Sequence, residues 1–158
     1  LSVLFSETFE SWPLSGWTVI TNTNESWHSN TWWLEANKTL PYGNGMSAAI
    51  SSDAFGGGLD GELWSPVIDL SSATQPTLFF DNNFQDFAGD GDAWVDVSTD
   101  NGSTWTNVAY WTADNGPTQE TVDLSAYAGQ PSVIIRWRYM ASGWAWFWHI
   151  DNVVVADT

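Results

Sequence analysis

An all-β sandwich built from two antiparallel sheets is the fold this 158-residue sequence predicts. Three observations predict it. Short β-prone runs recur along the chain, separated by clusters of Gly, Asn, Asp, Ser and Pro, as in sandwiches and barrels. Helical periodicity is nearly absent. The strongest runs alternate with period two, the mark of a strand with one buried and one outer face.

The elements follow in chain order. Strands are expected at residues 3–9, 17–21, 32–35, 47–51, 62–64 and 77–82. The run 92–100 alternates most clearly: Ala93, Val95 and Val97 point one way, and Asp92, Trp94, Asp96 and Ser98 the other. Asp100-Asn101-Gly102-Ser103 closes a hairpin, because Asn and Gly tolerate positive φ. Strands follow at 104–111 and 118–123, then a short helical turn at 124–128. In 133–140, Val133, Ile135, Trp137 and Tyr139 share a face, with Ile134, Arg136, Arg138 and Met140 on the other. The last strand spans 147–156. Gly56-Gly57-Gly58 and the segment 41–45 read as loops. No internal repeat and no linker-like tract appears, so residues 1–158 are expected to form a single domain, long enough for a real core.

Charge and composition narrow the function classes. Nineteen acidic residues face one lysine (Lys38) and two arginines (Arg136, Arg138), for a net charge of −16. Such a chain repels phosphate backbones and anionic membranes, so nucleic-acid binding is not expected. The acidity reads as a solubility device for a salty or extracellular setting, as carboxylates neutralised by divalent cations, or as both. No cysteine is present, so there is neither a disulfide framework nor a thiolate metal site. No apolar run is long enough for a membrane-spanning helix. The chain begins at Leu1, which fits a mature secreted chain or a domain excised from a larger protein. Thirteen tryptophans exceed what a sandwich core of this size needs, so some are expected to face outward.

Several motifs stand in order. They are Ser6-Glu7-Thr8-Phe9-Glu10 with Pro13-Leu14-Ser15-Gly16-Trp17; Glu62-Leu63-Trp64-Ser65-Pro66-Val67-Ile68-Asp69-Leu70; Val95-Asp96-Val97-Ser98-Thr99-Asp100-Asn101-Gly102-Ser103-Thr104-Trp105; Val122-Asp123-Leu124-Ser125-Ala126-Tyr127-Ala128-Gly129-Gln130; and Trp148-His149-Ile150-Asp151-Asn152-Val153. Together they resemble the MAM-like jelly-roll group that includes the cleaved adhesin domains of gingipains and the choice-of-anchor J domains of secreted bacterial proteins. The resemblance covers nearly the whole chain. It implies a two-sheet antiparallel jelly roll, no catalytic activity, structural Ca²⁺ near the ends of the first and last strands, and an adhesion or accessory role outside the cell. The absence of cysteine favours the prokaryotic branch.

Calcium takes six to eight oxygen ligands. Glu7 on the first strand and Asp151 on the last are the expected metal ligands, with Asp53 a third and Glu10 an alternative to Glu7. The same carboxylates also read as solvated surface groups or turn formers. Asp86, Asp90, Asp92 and Asp96 form a second acidic cluster, without EF-hand spacing, and a solvated loop is the expected reading. Trp94, Trp144 and Trp146 are candidate ligand-binding residues. Trp144, Trp146 and Trp148 alternate and would share one strand face, either as an outward row that grips a sugar or protein, or as a second packed face.

Catalytic constellations are not found. His28 and His149 are the only histidines. There is no Gly-x-Ser-x-Gly elbow, and Asp92 and Asp96 lie ~13 Å apart on one strand, too far for a retaining glycosidase pair. Three sequons (at Asn24, Asn37 and Asn101) matter only where secreted proteins are glycosylated. The expected function is thus an extracellular, non-catalytic, calcium-stabilised adhesion or binding module, accessory to a larger secreted protein. Its partner would be a protein or glycan surface ligand. The alternatives are a structural subunit that binds copies of itself in an extracellular filament or surface layer, and a carbohydrate-binding module using exposed Trp.

Overall fold

Eleven strands account for nearly all regular structure in the computed structural model, which describes residues 1–12, 14–23, 30–37, 39–41 and 44–158. Pro13, Lys38, His28, the Asn24 sequon and the centre of the 41–45 loop lie outside the described residues. The strands are β1 (Ser2–Glu7), β2 (Thr18–Thr21), β3 (Trp33–Ala36), β4 (Met46–Ser51), β5 (Leu59–Trp64), β6 (Pro76–Gln85), β7 (Gly91–Ser98), β8 (Thr106–Trp111), β9 (Asn115–Asp123), β10 (Ile134–Ala141) and β11 (Phe147–Asp157). Each expected run is present, and β5, β6 and β9 begin or end several residues beyond the expected bounds. The helical turn is a 3-10 segment at Ser125–Tyr127. A second one, Asp53–Phe55, fills the loop after β4 and was not foreseen.

The strands form two antiparallel sheets in a jelly-roll sandwich. The six-stranded sheet runs β3-β4-β11-β6-β9, with β1 also on β11. The five-stranded sheet runs β2-β5-β10-β7-β8. β11 organises the larger sheet. One of its edges carries β6 from Phe147 to Asp157. Its other edge is shared end to end: β4 takes residues 147–150, and β1 takes residues 153–157. Asn152 lies between these two stretches in left-handed conformation (φ 48°), and the register with β6 shifts there. Sequence alternation sets the inner faces. Ala93, Val95 and Val97 on β7, and Val133, Ile135, Trp137 and Tyr139 on and before β10, are all buried.

Aromatic rings join the two sheets. Trp17 lies 5.1 Å from Phe9 and 5.8 Å from Trp137, and Trp137 meets Phe80 edge-on at 5.8 Å. Phe80 continues to Trp111, Trp111 to Trp148, and Trp148 to Trp32 and Phe84. Such pairs add to the burial of large rings, which dominates the core. Close approach also selects residue type. A Cβ on Gly61 would sit 2.3 Å from Thr31 Oγ1 and 2.7 Å from Ile50 Cδ1, so the β5 backbone packs where no side chain fits. In the β7–β8 connection, Asn101 (φ 57°) and Gly102 (φ 89°) take the positive φ that the motif requires. The Asp100 carboxylate caps this turn from Thr104 and Ser98, and those hydrogen bonds, from Thr104 first, hold its pKa down at about 2.

Trp137 is wholly buried at the junction of both sheets. Trp137→Ala should therefore cost about 3–5 kcal/mol, read as a lower urea midpoint with little change in slope. A loss below about 1 kcal/mol would contradict this packing.

Candidate functional site

The polar features lie in three places: a carboxylate site where β1, β4 and β11 meet, the outer face of the five-stranded sheet, and the loop end of the sandwich beyond Phe147.

The first centres on Asp151 and Asp81, directly opposite each other on β11 and β6 and both buried. Asp151 accepts hydrogen bonds from Asn37 Nδ2 (2.7 Å) and its neighbour's amide, Asn152 N (2.7 Å). Asn152 Nδ2 donates to Asp81 Oδ2 (2.8 Å), while Asp81 Oδ1 is buried with no hydrogen-bond partner. Burial raises the pKa of both groups, that of Asp151 to about 6, with Asp81 and Glu10 adding negative charge. Two buried carboxylates side by side are costly unless something compensates them. A cavity of about 450 Å³ opens beside them, lined by Thr8, Glu10, Asn44, Gly45 and Asn152. Glu10 reaches back to Met46 N, the first residue of β4.

The sequence-predicted ligands divide at this site. Asp151 is in it. Glu7 is on the right strand but its carboxylate is otherwise engaged: Oε2 accepts from Thr8 N and Phe9 N, and Oε1 from Trp17 Nε1 at 3.0 Å. Both oxygens of Asp151 are engaged in the same way; what sets Glu10 apart from Glu7 is that it lines the cavity. Asp53 is not brought to Asp151. It follows β4 past Ser51, which pairs with Phe147, so it lies about four residues of strand, roughly 13 Å or more, away. Among the described residues no three His, Cys, Asp or Glu form a ready-made metal cluster. A cation here would therefore draw on carbonyl and amide oxygens beside Glu10 and Asp151. That donor set is all oxygen, which suits a hard cation such as Ca²⁺.

His149 is two residues away and does different work. Its Nδ1 meets Thr39 Oγ1 at 2.7 Å and its Nε2 meets Glu35 at 3.1 Å. Burial lowers its pKa, against the pull of Glu35. The ring lies tilted against Phe147, 4.5 Å between centroids, and ties the segment after β3 to the sheet.

The outer face of the five-stranded sheet holds both arginines. Arg136 bridges Glu62 and Asp96, each at 2.8 Å, and Arg138 pairs with Asp60 at 2.8 Å. Trp94 stands in this network. Tyr110 stacks on it at 5.2 Å and 16°, and the Arg138 guanidinium lies 6.0 Å from its ring. Its flanks are thus occupied by neighbours on β8 and β10, and Tyr110 is the more exposed ring of the pair. Asp92 and Asp96 of the second acidic cluster also belong to this face, accepting from Tyr110 and Asn107.

Trp144 and Trp146 lie elsewhere. They precede β11 in an irregular loop and are 55% and 45% exposed, whereas Trp148 is fully buried. The expected single row of three is therefore broken. The cause lies at Ala145, between the two exposed rings: its N–H donates to Ser52 Oγ (2.7 Å), and its carbonyl accepts from the Ser52 and Tyr139 hydroxyls. This clamp turns Ala145 inward and both tryptophans out. Phe87 of the β6–β7 loop, 54% exposed, stacks on Trp146 at 6.1 Å and 27°. Phe87 escaped the sequence reading, because a lone Phe in a loop carries no periodic signal.

No family model and no curated protein matches the chain. Its structure is similar to the K1 cleaved adhesin domain of Lys-gingipain from Porphyromonas gingivalis W83, with a TM-score of 0.73, 20% identity and 98% of each chain covered. The K3 domain of the same protein gives 0.68 at 18% identity, over 98% of this chain and 97% of that one. A carbohydrate-binding module, TmCBM61 in complex with β-1,4-galactotriose, gives 0.63 at 11% identity, over 91% and 90%. The expected cleaved-adhesin-like jelly roll is thus the fold observed.

In metal-free protein, the raised pKa of Asp151 has a definite sign. Its folded value, about 6, lies above the ordinary aspartate value of 3.8, so the folded state binds the extra proton and stability falls as pH rises from about 4 through 6. Asp151→Asn should flatten this part of the melting-temperature profile under chelation. An unchanged slope in the variant would refute the assignment.

Proposed function

We propose that the chain is an extracellular, non-catalytic adhesion or binding module, stiffened by calcium and accessory to a larger secreted protein. It engages a glycan or protein surface through the loop end of the sandwich. The observation that carries this reading is the exposed aromatic group Phe87, Trp144 and Trp146, held outward by the Ala145 clamp. Large apolar rings kept in water on one side of a rigid scaffold mark an interaction surface. The similarity to adhesin domains and to a carbohydrate-binding module supports a binding role. No helix among the described residues is long and apolar enough to cross a membrane.

Calcium in this reading is structural. Glu10 and Asp151 would hold it, with oxygens of the lining residues Thr8, Asn44, Gly45 and Asn152. Its positive charge would offset the buried Asp151–Asp81 pair and join the first strand's exit to the last strand.

A second reading is a self-assembling filament or surface-layer subunit. One observation favours it: β1 pairs only with β11 among the described residues, and Leu1 and Val3 are exposed, so its outer edge can accept another strand. Particle size by light scattering, with and without calcium, separates the readings, and a monomer under both conditions removes this one.

Two outcomes are expected. Calcium should raise the melting temperature, by the equivalent of about 2.7 kcal/mol at a hundredfold excess over Kd. Glu10→Gln and Asp151→Asn should each abolish most of that shift, while Glu7→Gln and Asp53→Asn keep it. Absence of any shift after thorough chelation defeats the calcium proposal. On arrays of oligosaccharides and surface proteins, Trp144→Ala with Trp146→Ala should reduce binding at least tenfold without unfolding the chain. Trp94→Ala should have a smaller effect. Equal binding by the double variant contradicts the placement of the site.

A further inference from the structure

Four loops converge at the exposed aromatic end, and they bring carboxylates with them. Asp90 lies against the loop that carries Trp144: its carbonyl accepts from Ser142 N at 3.0 Å, and its Oδ2 sits 3.1 Å from where a Cβ on Gly143 would stand. Trp144 in turn leans over Gly57, in the loop that begins with Asp53. Asp86 accepts from Gly89 N and Gly91 N, and its own amide donates to Asp114. A Cβ on Gly91 would stand 3.0 Å from both Asp86 Oδ1 and Ala145 Cβ, and Asp53 directly follows Ser52, whose hydroxyl is bonded to Ala145 N and O. Asp86 and Asp53 thus flank the Ala145 backbone between Trp144 and Trp146. No cation shares this end among the described residues: Arg136 and Arg138 are committed to Glu62, Asp96 and Asp60 on the outer sheet face.

We propose that this surface docks a basic segment of another protein, with lysine or arginine side chains laid across Phe87, Trp144 and Trp146 and their charged heads among Asp53, Asp86 and Asp90. This rests on the loop end being the ligand surface, and it adds the partner's chemistry. Indole faces attract cations, best of all aromatic faces, and long basic side chains cover apolar surface with their methylenes while keeping the charge in a polar rim. Charge complementarity also decides against the other occupants. A second copy docked face to face would set the same carboxylates against themselves, and the chain's net charge of −16 repels nucleic acids and acidic lipids.

The test is calorimetric titration of the folded chain with oligolysine and oligoarginine peptides, against oligoglutamate and neutral β-linked oligosaccharides. The basic peptides should bind, and affinity should fall steeply with salt. Trp144→Ala and Trp146→Ala should each weaken binding by about threefold to thirtyfold. Asp53→Asn with Asp90→Asn should weaken it comparably. Asp123→Asn, at the opposite end where β9 finishes beside Thr77, should not. Near-ultraviolet circular dichroism confirms folding of each variant. If the tryptophan variants bind basic peptides as the parent does, the attraction is that of a polyanion without a site, and the proposal falls. If neutral oligosaccharides bind in a Trp144- and Trp146-dependent way and basic peptides do not, the cationic partner is wrong while the binding surface stands. If neither ligand depends on those tryptophans, both are wrong.

Discussion

One strand sets the terms for this molecule. β11 hydrogen-bonds to β6 along one edge and to β4 and β1 in tandem along the other. Two partners on one edge leave a gap between them, which falls at Asp151 and Asn152. Asn152 adopts a left-handed conformation there, a state that Asn tolerates better than most residues. Asp151 is left buried facing Asp81, in a stretch where neither β4 nor β1 supplies a ladder partner. The polar seam thus follows from the topology: a strand with three neighbours has a gap between two of them, and the polar groups left there need partners.

How legible this was in the sequence depends on the kind of signal. Period-two alternation in 92–98 and 133–140 located the inner faces correctly, because burial repeats along a strand and leaves a pattern. Asp151 lies on the last strand, where its place in an ordered motif sets it. Glu7 and Glu10 were not separable, since both are acidic and only three residues apart. What distinguishes them is that Glu10 lines the cavity while Glu7 is held by Trp17 Nε1 and two backbone amides, a three-dimensional fact. Asp53 lies apart from Asp151, and sequence proximity to β4 says nothing about which end of β11 that strand's exit approaches. The Trp144–Trp148 row failed because alternation holds only while the chain stays a strand, and the Ser52–Ala145 clamp ends it at Phe147.

The outer face of the five-stranded sheet sets Trp94 in surroundings unlike those of Trp144 and Trp146. In the sequence Trp94 stands beside Trp144 and Trp146 as a candidate ligand-binding residue. It lies in a layer where Arg136, Arg138, Asp60, Glu62 and Asp96 satisfy one another, and its ring is stacked within that layer. Each buried polar group there has a partner, which favours a single well-defined arrangement. The layer also uses two of the chain's three basic residues, so the rest of the surface is left strongly acidic. The same network that closes one face gives the loop end its charge.

The pairing of the first strand with the last has a mechanical consequence. Ser2 stands beside Asp157, so both ends of the chain emerge together, at the opposite pole from Trp144 and Trp146. Tension applied between the two ends peels β1 from β11 one hydrogen bond at a time. Tension between the Asp157 end and a ligand held at the aromatic pole runs instead along the axis of β11. It then loads the long β11–β6 ladder in shear, with many hydrogen bonds sharing the force. The sandwich is thus built to be weak to a pull across its ends and strong to a pull along its length.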